Sequence, residues 1–471
     1  MVDKEKLEGV LAGLPITLNE YQLSFIKMFI STGGNWCLLG LAGSGKSTIM
    51  YVLKLYYGDE IVFFASSGVA SLNMPNGIGC GTGHSSLALP LNPSTEYDHK
   101  KISSKCSGIF SGSDLVKIIV IDEAYGYNSD NLDMIHRRIT RFNKKTPKRG
   151  KRDIRLLLVG DCSQQITIAD EETKVELKKR WDHHLMFKSS VWDRFDFQYA
   201  VLDKVERQKD KTFKACLEVI RYYQSERFPR CLAWLNRNYK PNYSNDQLVL
   251  AATNKTVDKI NEKFLARNTN PKVVFKGELW GDFSMNNLLV KETFTACIGR
   301  RVMCINNDSP VNGSRWVNGS IGEIIEVING MGVTVSFDDG SEHFVEPNTW
   351  ENKEKYIEKD VEQEDGAFKD EMREKLLGSF TGLPLVPANS FSISKSQGLS
   401  ITSPFVIDLE NSWMYSSKKM GDFATNFAYV ALSRAVSKDL ITLATRVEPA
   451  HIKPCFDSLE FWDYAKSMSV I

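Results

Sequence analysis

Leu38-Leu39-Gly40-Leu41-Ala42-Gly43-Ser44-Gly45-Lys46-Ser47-Thr48 is the stretch that decides how the rest of the chain is read. The run from Trp36 to Leu39 is apolar and strand-like, and a helical pattern follows Lys46, so the glycines fall at a strand-to-helix turn. There the backbone curls and successive N–H groups point inward at phosphate oxygens. Gly40, Gly43, Ser44 and Gly45 form the cradle, Lys46 reaches the β- and γ-phosphates, Ser47 offers its hydroxyl to Mg²⁺, and Thr48 leads into the helix. The ligand implied is a nucleoside triphosphate with its Mg²⁺.

Composition narrows the setting. The 471 residues fill about three or four domains by the usual length prior. Charged residues are 25% and hydrophobic ones 42%, ordinary for a soluble protein. Net charge is only +1, so nucleic-acid binding has to come from a local basic surface and not from a global field. The nine cysteines are odd in number and form no C-x-x-C pair, which fits buried thiols in a reducing cytoplasm better than a disulfide framework or zinc site. No apolar run approaches the roughly 18 residues of a membrane span, and the charged start Asp3-Lys4-Glu5-Lys6 does not read as a signal peptide. The expectation is a soluble, cytoplasmic protein without a membrane partner.

Short apolar runs elsewhere keep ending in chemically suggestive residues. Ile61 to Phe64 leads into Ala65-Ser66-Ser67, Ile118 to Ile121 into Asp122-Glu123, and Leu156 to Val159 into Gly160-Asp161. Parallel strands buried on both faces look like this, with function at their carboxyl ends. The layout returns in Leu248 to Ala251 before Thr253-Asn254, in Phe405 to Ile407 before Asp408, and in Leu440 to Ala444. Two α/β units separated near residue 200 are therefore expected. At the second carboxylate site, Asp122 is placed to hold Mg²⁺ and Glu123 to take a proton from the attacking water, while Gln164 supplies an amide able to sense the γ-phosphate or orient that water.

Two regions break the α/β rhythm. Between His84 and Lys117 the Pro- and Ser-rich stretch Leu89 to Tyr97 reads as a protruding hairpin or loop. From Val302 to Pro347, Asn318-Gly319, Asn329-Gly330 and Asp339-Gly340 separate strand-like runs, which predicts a small antiparallel barrel. After it, Glu351 to Lys375 carries ten acidic and six basic residues, read as a solvated helix or mobile excursion. A basic run from Lys144 to Arg152 reads as a solvated loop tip.

The motif order then resembles a known family. Leu18-Asn19-Glu20-Tyr21-Gln22, Gly40 to Ser47, Ala65-Ser66-Ser67, Thr82-Gly83-His84-Ser85, Asp122-Glu123-Ala124-Tyr125 and Gly160-Asp161 with Gln164 follow one another as helicase motifs do. So do Val205-Glu206-Arg207-Gln208, Thr253-Asn254, Lys395-Ser396-Gln397-Gly398 and Tyr429-Val430-Ala431-Leu432-Ser433-Arg434. The chain resembles superfamily 1B DNA helicases of the RecD/Dda type, most of all the small Dda-like helicases of phages, over roughly residues 15 to 445.

That resemblance implies an α/β fold of two RecA-like parallel-sheet motor domains: 1–85 with 107–200, and 201–269 with 386–471. It places a β-hairpin pin at 86–106 and an SH3-like β-barrel with the charged excursion at 270–385. It implies that Gln22 reads adenine, that Gln397 and Gly398 help hold ATP, and that Arg207 and Arg434 reach the γ-phosphate across the cleft, where a planar, always charged fork suits the task. Ser67, Thr82, His84, Ser85, Thr253, Asn254, Ser392 and Lys395 are the implied contacts to single-stranded DNA, with Tyr97 of the pin at the duplex fork. Two positions depart from the family pattern: Ser67-Gly68 stands where Thr-His is common, and Ser394 where a His usually precedes Lys395. The implied activity is ATP-dependent, 5′-to-3′ unwinding by a monomer, beside replication or recombination proteins, in a host's cytoplasm if the chain is phage-encoded. A nucleic-acid-stimulated translocase, or an ATP-switched DNA-binding accessory that separates no strands, is the alternative the sequence leaves open.

Overall fold

The computed structural model describes the chain apart from residues 1–2, 67–79, 91, 101, 103–105, 108–109, 111–115, 145–152, 165–166, 168, 244–246, 286–289, 307–314, 317–319, 363–367 and 412–425, and only the backbone at 80, 81, 85 and 353–374. The first α/β unit is built on β1 (Trp36–Gly40), β2 (Ile61–Ala65), β3 (Cys80–Thr82), β4 (Ile118–Asp122), β5 (Arg155–Gly160) and β6 (Gln198–Leu202). These six strands are parallel throughout, in the order β3-β2-β4-β5-β1-β6. Every residue of β1 is buried, as a strand covered on both faces requires. Alternation then divides its side chains: Trp36 and Leu38 join one core with Phe25, Phe29, Ile49 and Leu53, whereas Cys37 and Leu39 join the other with Ile119, Ile121, Leu132 and Ile135. Strand order places the carboxyl ends of β1, β4 and β5 side by side, which brings the phosphate loop, Asp122-Glu123 and Asp161 to one edge.

The second unit's core already includes Phe213, Leu217 and Ile220 of helix Lys211–Arg221, and its sheet opens with β7 (Leu248–Ala251). The chain then inserts β8 (Val273–Lys276), β9 (Glu278–Gly281), β10 (Thr293–Ala296), β11 (Arg301–Cys304), β12 (Ile321–Ile328), β13 (Gly332–Phe337), β14 (Glu342–Val345), β15 (Asn348–Glu362), β16 (Phe368–Gly382) and β17 (Leu385–Pro387). It returns as β18 (Ser390–Ser392), β19 (Phe405–Asp408) and β20 (Ile441–Leu443) to complete a parallel sheet in the order β18-β7-β19-β20. Within the insertion, β14-β13-β12-β11-β17 form an antiparallel sheet around Val302, Cys304, Ile324, Val333, Val335 and Val345. Two of its turns lie where the sequence puts them, with Gly330 at φ +74° and Gly340 at φ +89°, while Asn318-Gly319 lies outside the described residues.

Three expectations need correction. The charged excursion is neither helical nor irregular: β15 and β16 are fifteen residues each and pair antiparallel from Asn348↔Gly382 to Glu362↔Phe368. Within the part of the pair whose side chains are described, Trp350 lies directly opposite Phe380 and stacks on it, a cross-strand aromatic contact that supports strand pairing. The pin expected as a β-hairpin at 86–106 contains no strand among its described residues. Instead Glu96–Lys100 is a short helix, because Thr95 and Asp98 cap it reciprocally, Thr95 N donating to Asp98 and Asp98 N to Thr95 Oγ1. The chain's last segment also crosses between units. The second unit's core closes at Ile452, and helix Phe456–Ser467 packs Phe461, Trp462 and Ala465 into the first unit against Tyr125, Phe187, Trp192 and Tyr199.

Candidate active site

The phosphate loop is closed in on itself. Gly43 (φ +77°) and Gly45 (φ +88°) occupy left-handed conformations that favour glycine, and a Cβ on Gly45 would lie 2.2 Å from Gln22 Nε2. Gly45 also caps helix Lys46–Tyr57 without any side-chain hydrogen bond, so the first-turn N–H groups carry no side-chain cap and the helix dipole points into the recess. Lys46 Nζ donates to Gly40 O (2.9 Å) and Leu41 O (3.2 Å), and the buried Ser44 Oγ has no hydrogen-bond partner among the described residues. Uncapped donors around the curl, with a lysine folded back onto its own loop, fit a phosphate chain.

Gln22 sits behind this loop. Its Oε1 accepts from Asn19 N (3.0 Å) in a capping box, and its Nε2 donates to Ser44 O (2.9 Å). Both ends of the amide are therefore engaged, one in capping its own helix and the other in bracing the loop, and reading an adenine edge would require exchanging these bonds. Gly40 and Thr48 frame the loop without lining the cavity in front of it.

Asp122 ends β4, and Glu123 follows in the left-handed region at φ +47°, a conformation costing about 1–2 kcal/mol for a residue with a side chain. Ser66 Oγ donates to Glu123 O at 2.7 Å and helps hold that turn. Burial raises the pKa of Asp122, opposed by Lys46. Burial and then the Asp122 charge push Glu123 up to about 7, opposed by Lys46 and Arg434. A carboxyl raised towards neutrality is poised to accept a proton. Asp161 behaves oppositely: burial works to raise it, but Arg221, Lys46 and hydrogen bonds from Gln164 and Ser163 together hold it low.

The second unit supplies the cations. Glu206 N and Arg207 N donate to Gly43 O at 2.9 and 3.3 Å, which fixes Arg207 against the loop, and Arg207 Nη1 donates to Ser433 O (2.9 Å). Arg434 is buried; its Nε donates to Val430 O (3.0 Å), and its Nη2 to Ser433 Oγ (2.9 Å) and Gln164 Oε1 (3.3 Å). Burial and then Arg434 push Arg207 down to about 9, and burial lowers Arg434, with Glu123 opposing. Arginine keeps its charge in proteins, so the recess holds two like charges, where an anion between them is favoured. A cavity of about 540 Å³ joins these groups, with Gly43, Ser44, Gly45, Lys46, Ser47, Asp122, Glu123 and Gln164 on one side and Arg207, Gln397, Gly398 and Arg434 on the other.

The implied DNA contacts are placed less uniformly. Ser67 lies outside the described residues, as do residues 145–152 of the basic run, and Ser85 is described by its backbone alone. Ser392 and Lys395 line a second groove of about 260 Å³ with Asn261, Arg300, Thr293 and Thr295, between the second sheet and the insertion. Neighbours on the same short segment, Ser394, Gln397 and Gly398, face the larger cavity, so one turn of chain touches both. Thr253 instead caps helix Asn254–Arg267, accepting from Thr256 N and donating to Glu410 Oε1 (2.8 Å). His84 is half-buried, its Nδ1 paired with Leu89 O (3.1 Å) and its ring edge-on to Tyr127, a structural arrangement. Thr82 ends β3, and Tyr97 is 65% exposed on the short helix of the pin.

Sequence reading missed Arg221 and gave no role to Tyr429, which respectively donate to Asp161 Oδ1 (3.0 Å) and Oδ2 (3.2 Å). Arg221 carries no motif signal, being one cation at the end of an amphipathic helix, whereas Tyr429 opens the last motif and could have been singled out.

Comparison with known proteins agrees with this geometry. The family model described as PIF1-like helicase matches residues 18–224. The ATP-dependent DNA helicase Pif1 of Campylobacter jejuni is 25% identical over 433 residues, covering 87% of this chain and 88% of that protein. The ATP-dependent DNA helicase RRM3 of Saccharomyces cerevisiae is 26% identical over 326 residues, 67% of this chain and 43% of the yeast protein. In fold, the chain is similar to Bacteroides sp. Pif1 in complex with ADP-AlF4, with a TM-score of 0.73, 24% identity and coverage of 96% and 98%.

Proposed function

We propose that this chain, a superfamily 1B helicase of the PIF1-like family, hydrolyses ATP in the cleft between its two RecA-like units and thereby moves 5′ to 3′ along single-stranded DNA, parting the duplex ahead. The observation that carries the reading is the shared cavity in which the phosphate loop, Asp122, Glu123 and Gln164 face Arg207 and Arg434 from the other unit. Chemistry so divided runs only when the units are closed, which ties hydrolysis to their relative motion. In this reading Glu123 draws the proton from water, Gln164 orients that water, and the two arginines meet charge developing on the γ-phosphate. Ser47 and Asp122 would hold Mg²⁺, which neutralises phosphate charge when bound.

The groove at Ser392 and Lys395 is the proposed path of the strand, since its partners are hydroxyls, amides and cations suited to a backbone and indifferent to sequence. The Bacteroides relative has been solved bound to single-stranded DNA, which supports this choice of polymer. Tyr97, exposed on the pin, is proposed to meet the first base pair at the fork. The protein acts as a monomer, in the cytoplasm, alongside replication or recombination proteins in this reading. ATP turnover measured with single-stranded DNA, with RNA and with no polymer tests it. Stimulation by DNA is expected, and turnover indifferent to polymer would replace the helicase reading with an ATP-switched accessory.

A further inference from the structure

Asp161 is fully buried at the carboxyl end of β5 and accepts four hydrogen bonds. Ser163 N and Arg221 Nη2 reach its Oδ1 at 3.0 Å each, and Gln164 Nε2 (3.1 Å) and Tyr429 Oη (3.2 Å) reach its Oδ2. Two of these donors belong to the first unit and two to the second. Tyr429 Oη also accepts from Ala42 N at 3.4 Å, which links the network to the phosphate loop.

Arg221 is itself 1% exposed, and its Nε and Nη1 have no hydrogen-bond partner among the described residues. Its guanidinium lies instead 4.0 Å from the ring centre of Trp462, on the helix that crosses back to the first unit, and 4.8 Å from that of Tyr222. Aromatic faces and a single carboxylate thus hold the cation. An ion pair this deep gains little net stability over apolar packing, so what it secures is position.

The position in question is that of Gln164. A carboxylate only accepts and a guanidinium only donates, so Asp161 on one side and Arg434 on the other dictate which way the amide points: Nε2 to Asp161, Oε1 to Arg434 and the cavity. We propose that Arg221 is a positioning residue of the hydrolysis site, acting through Asp161 to hold the Gln164 amide in this orientation, with Trp462 as its stacking support. The inference rests on the ATPase reading above and assigns a job to the returning C-terminal helix, whose removal would free Arg221.

The test uses the full chain saturated with single-stranded DNA and measures kcat and KM for ATP in Arg221→Lys, which keeps the buried charge but loses the planar fork. Misplacement of a catalytic amide costs up to about a hundredfold. A kcat loss of about tenfold or more is expected, with KM changed less than about threefold and the thermal midpoint largely retained. In a Gln164→Ala background the same substitution should cost less than about twofold, since the group it positions is already gone. Trp462→Phe keeps an aromatic face and should keep kcat, whereas Trp462→Leu should lower it as Arg221→Lys does. Should Arg221→Lys fail to fold, Trp462→Leu set against Trp462→Phe, with Gln164 intact and in the Gln164→Ala background, carries the same comparison. Equal losses with Gln164 intact and in the Gln164→Ala background, or wild-type kcat in Arg221→Lys, would overturn the proposal while leaving the ATPase reading intact. Absence of any ATPase in the wild-type chain would remove that reading instead.

Discussion

Replacing Gln22 by Ala separates two jobs that one amide can do. In the structure Gln22 closes a capping box with Asn19 and donates to the buried Ser44 O of the phosphate loop at 2.9 Å. The substitution removes two hydrogen bonds at about 1 kcal/mol each and strands the Ser44 carbonyl, a further cost of about 1–3 kcal/mol. The loss of stability is then on the order of 3–5 kcal/mol, which for a unit of this size lowers the thermal midpoint by roughly 10–15 °C. If about 1–2 kcal/mol of that is loop order that the nucleotide must restore on binding, KM rises about five- to thirtyfold. Because the brace acts on the loop and not on a base, the rise should be proportionally the same for ATP and for CTP. Steady-state kinetics with both nucleotides, beside a thermal melt, decide the matter. A KM increase confined to ATP with an unchanged melt would refute the brace and restore Gln22 to reading adenine.

Other consequences are direct. Lys46→Ala should abolish turnover, while Glu123→Gln should still bind nucleotide, read by a fluorescent ATP analogue, yet hydrolyse none, because in the proposed reading its carboxylate acts only in the chemical step. Arg434→Lys gives up a fork that spans Val430 O, Ser433 Oγ and Gln164 Oε1, and kcat should fall by about 10³ to 10⁵, the range for transition-state arginines. Acid should weaken the fold through Asp161. Its carboxyl titrates lower folded than unfolded, so its stabilisation is complete above the unfolded value near ~4 and is lost as pH falls through the lower folded value. Denaturant melts from about pH 6 down to about pH 3 should show that loss, and Asp161→Asn should flatten it; an equally steep profile in the variant would place the acid sensitivity elsewhere.

Much of the motor was legible because its signals are local. An apolar run ending in Gly40 or Asp122 reads as a buried strand with chemistry at its tip, and repeating that observation finds β1, β2, β4, β5, β7, β19 and β20, but not β3, β6 or β18, which complete the two sheets. The β15–β16 pair escaped because sixteen charges in twenty-five residues hide the strand alternation and each strand's partner is another part of the same run. The pin's helix escaped because Thr95 and Asp98 form a cap that a Pro- and Ser-rich context disguises. Within the site, Lys46, Asp122, Glu123, Gln164, Arg207 and Arg434 line one cavity as expected, since each lies in a motif. Arg221 and Trp462 could not be found in this way: their meaning depends on a contact between helices more than two hundred residues apart in sequence.

If hydrolysis drives directional strand separation, the opening of a tailed duplex reports it without an intermediary. A fluorescently labelled duplex carrying either a 5′ or a 3′ single-stranded tail, at one fixed salt concentration because salt alone changes DNA affinity steeply, is mixed with the protein and ATP. The 5′-tailed duplex should open, the 3′-tailed duplex should stay paired, and Glu123→Gln should open neither. Separation that prefers the 3′ tail, or that proceeds equally in Glu123→Gln, would contradict hydrolysis-driven, 5′-to-3′ unwinding.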